Sequence, residues 1–160
     1  MGEFIDEEHF YKWAMPCMSR IARELRLKHP SVPLLVFPRG AGYAITTLQA
    51  AGYDVITLGT KADRIASREA LTAAANHVLP PRGSVSGLQG NLDVALLRRD
   101  GSSEEMVRAE VRKMLMEFGP QNLIANLGEG LLGKEDPALV NTFIDAVHEI
   151  SEELIASEKK

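Results

Sequence analysis

The chain has 160 residues, of which 45% are hydrophobic and 25% charged, and its formal net charge at pH 7 is −4. This length fits one domain with a sizeable core, so residues 1–160 are expected to form a single domain whose last residues, 157–160, fray. The negative charge argues against a nucleic-acid-binding surface, and no apolar run approaches the roughly 20 residues that a membrane span needs.

The N-terminal segment lacks the basic region followed by an apolar one that marks a secretory signal, which leaves the cytosol or an organelle interior open; a cytoplasmic location is expected. An amphipathic helix is predicted over residues 7–28, with Asp6 as its cap and a kink at Pro16. Its expected buried face comprises Phe10, Trp13, Ala14, Cys17, Met18, Ile21 and Leu25. Cys17, the single cysteine, is therefore predicted to be a small buried hydrophobe and not a nucleophile.

Four short apolar runs are predicted to be strands. They cover residues 32–37, 54–58, 84–92 and 123–127. Each run is continuous and does not alternate with polar residues, which is typical of a parallel sheet covered by helices. The third run is interrupted by two glycines and is preceded by the turn-rich segment 79–83.

Helices are predicted to follow the strands, at residues 42–51 and 62–75. A capping box of Ser102 and Glu105 begins a third helix, which the Gly119–Pro120 pair ends. Its apolar face comprises Met106, Val107, Val111, Met114, Leu115 and Phe118. Asp136 caps a last helix that begins at Pro137. The residues expected to face inward from that helix are Leu139, Val140, Phe143, Ile144, Val147, Ile150 and Leu154.

This alternation of strands and helices predicts the α/β class, with four βα units around a parallel sheet. The spacing of roughly 20 to 35 residues between strands fits a doubly wound sheet as well as a barrel. A closed eight-stranded barrel typically needs about 250 residues. The chain therefore holds either a complete four-stranded sheet or half of a barrel.

The carboxyl ends of the strands are where both architectures place their chemistry. After the first strand, Arg39 precedes two glycines and is a candidate for binding an anion, although the turn matches a dinucleotide fingerprint only weakly. After the fourth strand, Glu129 lies between Gly128 and Gly130, which let the backbone turn tightly. Its carboxylate could accept hydrogen bonds from pyrrole or amine donors, or act as acid or base.

Three polar residues at the end of the third strand, Gln89, Asn91 and Asp93, alternate and are expected to point to the same side. Two interpretations remain open for the amides. They tie neighbouring strand ends together by hydrogen bonds, or they contact a substrate directly. The four histidines show no metal-ligand spacing, so no metal site is expected.

In order and spacing, these segments resemble successive segments of the uroporphyrinogen decarboxylases. The resemblance covers nearly the whole chain, and its most specific parts are the runs Gln-Gly-Asn-Leu-Asp at 89–93 and Asn-Leu-Gly-x-Gly at 126–130. It implies that residues 1–160 form a partial-barrel domain, the C-terminal half of a (β/α)8 TIM barrel.

The resemblance also implies an activity. The family removes the carboxyl groups from four acetate side chains of uroporphyrinogen, giving coproporphyrinogen in tetrapyrrole and haem biosynthesis, without a metal or organic cofactor. A tetrapyrrole substrate is the implied partner. From the residues themselves, a homo-oligomer that covers open sheet edges is expected, and no nucleic-acid or membrane partner is expected. Glu129 is the candidate catalytic residue, and Arg39, Gln89 and Asn91 are candidates for substrate binding.

The sequence departs from the family pattern in three places. Glu129 stands where the family has His, Gly59-Thr60 replaces an Asp-Trp pair, and the connection 61–85 is longer. The family's substrate-holding arginines, its aspartate and its tyrosine belong to the N-terminal half, so this chain alone is expected to be inactive.

Two alternatives to part of a decarboxylase remain open for the chain. The first is a natural half-barrel that acts as a binding or assembly module without decarboxylase activity. The second is a corrinoid-dependent methyltransferase of the same superfamily, which would need a zinc site of His and Cys ligands. The single Cys17 argues against the methyltransferase.

Overall fold

The computed structural model describes residues 5–77 and 85–158. These residues form one parallel four-stranded sheet in the order β1-β2-β3-β4. The strands are β1 (Leu35–Val36), β2 (Val55–Thr57), β3 (Gly87–Leu92) and β4 (Leu123–Leu127). The predicted α/β class with four βα units is confirmed. Over the described residues the sheet is open, with β1 and β4 at its edges, as in part of a barrel.

Helices follow or precede every strand. They are α1 (Glu7–His9), α2 (Met15–Lys28), α3 (Ile45–Ala50), α4 (Arg64–Ala73), α5 (Glu104–Phe118) and α6 (Pro137–Glu158). A π-helical turn, Phe10–Ala14, joins α1 to α2, and shorter 3₁₀ turns occur at Gly42–Ala44, Ala74–His77 and Val94–Leu97. Within the described part of the chain, none of these helices has the length and apolar character to cross a membrane.

The π-helical turn changes which face of the first helical segment is buried. Such a turn adds one residue to the helix, so every later residue is rotated by one position. The buried residues are Phe10, Met15, Met18 and Ala22. The predicted face is exposed instead at Trp13, Cys17, Ile21 and Leu25. The prediction that Cys17 is buried is therefore wrong, while the Asp6 cap is confirmed by a 2.9 Å bond from the His9 N–H.

The hydrophobic core lies between one face of the sheet and the helices, where α5 and α6 also pack on each other. The strands contribute Ile56, Leu88 and Leu92, all fully buried. Fully burying a side chain of this size stabilises a fold by about 1.5–3 kcal/mol. The helices contribute Val107, Val111, Met114, Leu115 and Phe118 from α5 and Leu139, Phe143, Ala146 and Ile150 from α6.

The opposite face of the sheet is accessible. The register aligns Leu35 with Val55 and Gln89 with Ile124, which places these side chains on the face away from the core. Leu35 is 50% exposed and Ile124 is 44% exposed. This face and the two strand edges are the parts of the partial barrel that lack covering among the described residues.

Several predicted boundaries and faces differ in detail. The first strand is only two residues long, and the N-cap of α5 is Ser103, whose hydroxyl accepts from the Met106 N–H, and not Ser102. Met106 and Ile144 are exposed because the buried stripes of α5 and α6 are narrower than predicted. The predicted turn at 79–83, the start of the third strand at Ser84 and the final residues 159–160 lie outside the described residues.

Candidate active site at the strand ends

The structure brings two of the predicted site residues together at the carboxyl end of the sheet. Arg39 follows β1, Glu129 follows β4, and Arg39 Nη2 lies 3.4 Å from Glu129 Oε2. Their side chains are 50% and 42% exposed, and an exposed pair of this kind stabilises a fold by only about 0–1 kcal/mol. The importance of the pair therefore lies in the position of its two charges and not in its contribution to stability. It sets a cation beside a carboxylate across the end of the sheet, from one edge strand to the other.

The backbone before Glu129 is held by close packing. The Gly128 N–H donates to the Leu92 carbonyl at 2.8 Å. A Cβ at Gly128 would lie 2.5 Å from the Thr60 nitrogen and 2.5 Å from Thr60 Oγ1, whereas a Cβ at Gly130 would meet nothing within 4 Å. Close packing against Thr60 therefore requires a glycine at position 128 but not at position 130. It presses the loop after β4 against the loop after β2.

Gln89 and Asn91 hydrogen-bond neighbouring strand ends. Thr57 Oγ1 donates to Gln89 Oε1 at 2.8 Å. Asn91 Nδ2 donates to the Gly59 and Ala62 carbonyls at 3.0 and 3.1 Å. These bonds fit the interpretation that the amides tie strand ends together. Gln89 remains partly exposed and close to the accessible face of the sheet.

The predicted common direction of the three polar residues holds only for Gln89 and Asn91, which both bond to β2 or the loop that follows it. Asn91 is fully buried towards that loop. Asp93 instead caps the next 3₁₀ turn by accepting from the Ala95 N–H at 2.9 Å. Asn91 has no exposed surface, and its amide bonds to the loop after β2, so in this structure it supports that loop from below.

Arg64, at the start of α4, is a site residue that the sequence reasoning missed. Its Nε donates to Asn91 Oδ1 at 2.7 Å, and its two terminal nitrogens lie 2.8 Å from Glu117 and Glu110 of α5. Its side chain is 11% exposed, and the guanidinium lies 5.9 Å from the centre of the Phe118 ring. The signal available in the sequence was an arginine in the first turn of a helix that follows a strand end.

The loop after Glu129 is fixed by the Glu135 carboxylate. Glu135 Oε2 accepts from the backbone N–H groups of Leu132, Gly133 and Lys134 at 3.0, 2.9 and 3.1 Å. Burial of the carboxyl opposes its ionisation, but the backbone hydrogen bonds together outweigh burial and lower the pKa of Glu135 below its ordinary value of 4.5. Arg98 Nε lies 3.7 Å from Glu135 Oε1 without a hydrogen bond.

No group of three or more His, Cys, Asp or Glu side chains within residues 5–77 and 85–158 is arranged to hold a metal ion. A cavity of about 840 Å³ lies at the other end of the sheet, beside Tyr53, Asp54, Ser86 and Asn122. None of the four candidate site residues lines it. Because open α/β sheets and barrels bind ligands beyond the carboxyl ends of their strands, the Arg39–Glu129 end is the better candidate site.

Comparison with known proteins gives concordant matches. The family model described as uroporphyrinogen decarboxylase (URO-D) matches residues 1–150. The uroporphyrinogen decarboxylase of Salinibacter ruber is 38% identical over 144 residues, which cover 90% of this chain and 37% of the relative. The Homo sapiens protein of the same name is 35% identical over 147 residues, covering 89% of this chain and 36% of the relative. The chain thus spans a little over a third of the length of these curated relatives.

Proposed function

The chain belongs to the uroporphyrinogen decarboxylase family, and we propose that it supplies the C-terminal part of an enzyme that converts uroporphyrinogen to coproporphyrinogen. In this proposal its four βα units are the last four of a (β/α)8 barrel. The complete enzyme is a cofactor-independent carboxy-lyase of cytoplasmic tetrapyrrole and haem biosynthesis. The chain alone, which matches a little over a third of its relatives, is inactive.

The observation that carries the proposal is the contact between Arg39 and Glu129. The substrate has eight carboxylates, so an isolated Glu129 at the family's His position would repel it. The guanidinium at 3.4 Å offsets that charge and makes the pair neutral overall. Replacement of His by Glu is in this way compatible with binding a polyanionic substrate.

The proposed roles follow from the chemistry of each group. Arg39 binds a substrate carboxylate, which guanidinium groups do strongly through paired N–H donors. Because a guanidinium has five N–H donors, Arg39 can bind a substrate carboxylate and stay beside Glu129, whose other lone pairs accept pyrrole N–H hydrogen bonds as positive charge develops on the ring. In each decarboxylation a carbon–carbon bond breaks, carbon dioxide leaves, the pyrrole takes up the electron pair, and a proton replaces the carboxyl group. Gln89, partly exposed beside Thr57, offers a further amide to the substrate.

A chimera tests the proposal. The chain replaces the matching segment of the Salinibacter ruber enzyme, and purified protein is assayed for coproporphyrinogen formation from uroporphyrinogen. We expect turnover by the chimera and none by the isolated chain. A chimera that folds, as judged by circular dichroism and a cooperative thermal transition, yet forms no product contradicts the proposal.

Two variants of the chimera separate the roles of the ion pair from general effects. Arg39→Ala is expected to lower kcat/KM by about tenfold or more, because a charge-assisted hydrogen bond to the substrate is lost. The control is Arg23→Ala, since Arg23 is an exposed arginine of α2 paired only with Glu24 among the contacts described. Equal activity of the two variants would refute the role of Arg39 but leave the family activity standing.

A second candidate function is an assembly module without decarboxylase activity, favoured by the accessible sheet face that carries Leu35 and Ile124. Unpaired strand edges promote association, and a homo-oligomer would cover them. Light scattering at micromolar concentration tests this candidate. A stable monomer would contradict this candidate. A defined dimer of the isolated chain, together with a folded chimera that forms no product, would favour the assembly module over the enzyme.

A further inference from the structure

We infer that Arg64 is a positioning residue for the Gly128–Glu129 turn, although Arg64 and Glu129 are not in contact in any interaction described above. Three consecutive contacts connect them: Arg64 with Asn91, Asn91 with the Gly59–Ala62 turn, and that turn with Gly128. The inference deepens the proposed function, and its catalytic consequence rests on that function. Its structural content does not.

The first contact fixes the guanidinium. Two carboxylates of α5, Glu110 and Glu117, each lie 2.8 Å from a terminal nitrogen of Arg64. The planar fork of an arginine then has one remaining orientation for Nε, which points at Asn91 Oδ1 at 2.7 Å. Because the side chain is 11% exposed, these bonds are largely shielded from water and define one geometry.

The second contact fixes the Asn91 amide. An asparagine side chain presents one acceptor and two donors on opposite sides. With Oδ1 held by Arg64, both Nδ2 hydrogens face the Gly59 and Ala62 carbonyls, at 3.0 and 3.1 Å. Loss of Arg64 would leave Oδ1 buried without its charged donor, and a buried unsatisfied acceptor favours rotation of the amide. The turn Gly59–Ala62 would then lose both of its side-chain bonds.

The third contact passes the position of this turn to the site. Thr60 lies inside the Gly59–Ala62 turn, which is closed by a 3.0 Å bond from the Ala62 N–H to the Gly59 carbonyl. Gly128 packs so tightly on Thr60 that there is no room for a Cβ between them. A displacement of the turn therefore changes the support of Gly128 and the direction in which Glu129 leaves the strand.

The alternative role for Arg64 is only to hold α4 against α5. Arg68 provides a matched control, since it lies one helical turn further along α4. Arg68 donates to the Phe118 and Gln121 carbonyls at 2.9 and 3.0 Å and makes no described contact with Asn91. A purely structural role predicts that Arg64→Ala and Arg68→Ala have similar effects.

The test is amide hydrogen exchange and ¹H–¹⁵N NMR on the 160-residue chain. In Arg64→Ala we expect shifted resonances for the Asn91 side-chain amide, Thr60, Gly128 and Glu129. We also expect the Gly128 amide to exchange about tenfold faster or more, because its support is lost while its bond to Leu92 is exposed to more frequent opening. In Arg68→Ala the changes should remain at the α4–α5 boundary, and the Gly128 exchange rate should match that of the native chain after correction for global stability.

Two further variants keep the inference testable if Arg64→Ala does not fold. Asn91→Asp retains the acceptor for Arg64 but removes both donors to the turn, so it should perturb Thr60 and Gly128 in the same way. Arg64→Lys should restore the resonances only partly, because an ammonium cannot meet three fixed partners in one plane. Unchanged Thr60 and Gly128 resonances in Asn91→Asp, or identical effects of Arg64→Ala and Arg68→Ala, would overturn the inference.

Kinetics of the chimera then separate this inference from the proposed function. Arg64→Ala should lower kcat more than it changes KM, since a displaced Glu129 affects the reacting ring more than overall binding. An inactive parent chimera would count against the proposed function while the NMR result still decides the role of Arg64. An active chimera in which Arg64→Ala and Arg68→Ala have equal kcat values would overturn the catalytic part of the inference alone.

Discussion

Replacing Gly128 by Ala should destabilise the chain, because the added methyl group would overlap the backbone of the loop after β2. The new Cβ would lie 2.5 Å from the Thr60 nitrogen, whereas ordinary contact begins near 3.4 Å, so the Thr60 backbone would have to move by the difference of about 0.9 Å. Overpacking of this kind costs about 1–3 kcal/mol, and backbone yields less easily than a flexible side chain. We therefore expect about 2–3 kcal/mol of lost unfolding free energy.

Thermal unfolding followed by circular dichroism measures this effect. For a domain of this size a loss of 1 kcal/mol lowers Tm by about 2–4 °C, so Gly128→Ala should lower Tm by roughly 4–12 °C. Gly130→Ala is the matched control, because its Cβ would meet nothing within 4 Å and its backbone conformation is open to other residues. We expect the Tm of this control to be unchanged or slightly raised, since alanine restricts the unfolded chain.

Equal Tm values for Gly128→Ala and Gly130→Ala would refute this reasoning. That result would mean that the loop after β2 is free to move away from the loop after β4. It would also weaken the inference about Arg64, which depends on the same contact between Thr60 and Gly128.

Three more predictions concern other parts of the chain. Asp54→Asn should lower the free energy of unfolding in urea by about 2–3 kcal/mol, because Asp54 Oδ2 accepts from Arg26 Nη2 and from the Leu34 N–H, both at 2.6 Å. The control Glu24→Gln removes an exposed ion pair and should lower it by less than about 0.5 kcal/mol. Cys17 is exposed and should react fully with a thiol reagent in the native chain, and protection until unfolding would contradict the shifted helix face. The pKa of Glu135 is lowered in the folded chain, so the ionised carboxylate stabilises the fold at pH values above its ordinary pKa of 4.5. This contribution is lost as the pH falls through the lowered pKa. Glu135→Gln should therefore lose less stability than the native chain during acid titration, and an unchanged acid transition would count against this role.

The elements that the sequence predicted best are those set by local chemistry. Residues 123–127 form β4 as predicted, and α6 begins at Pro137 with Asp136 capping it, because strand runs and caps are specified within a few residues. The buried face of the first helical segment was predicted wrongly, because that prediction depends on the helical period and not on a local cap or strand run. The prediction used a period of 3.6 residues throughout, whereas the π-helical turn Phe10–Ala14 inserts one extra residue. Apart from Pro16, the sequence carries no local signal for this insertion.

Two residues of the candidate site could be predicted from the sequence, but their contact with each other could not. Arg39 and Glu129 can be singled out because each follows a strand, but their pairing depends on how the folded sheet places its two edge strands, β1 and β4. Arg64 was missed because its importance arises from partners 27 to 53 residues away along the chain. Long-range side-chain networks leave no periodic trace in a sequence, so only the folded arrangement reveals them.

Arg39 and Glu129 mark two positions whose separation depends on the shape of the sheet. Neighbouring strands lie about 4.8 Å apart, so three intervals would separate β1 from β4 by roughly 14 Å in a flat sheet. The 3.4 Å contact between Arg39 and Glu129 is made across this width by two long side chains that reach towards each other from the ends of the two edge strands. A pair of spin labels or fluorophores placed at these two positions would convert any flattening or tightening of the half-barrel into a change in one measurable length.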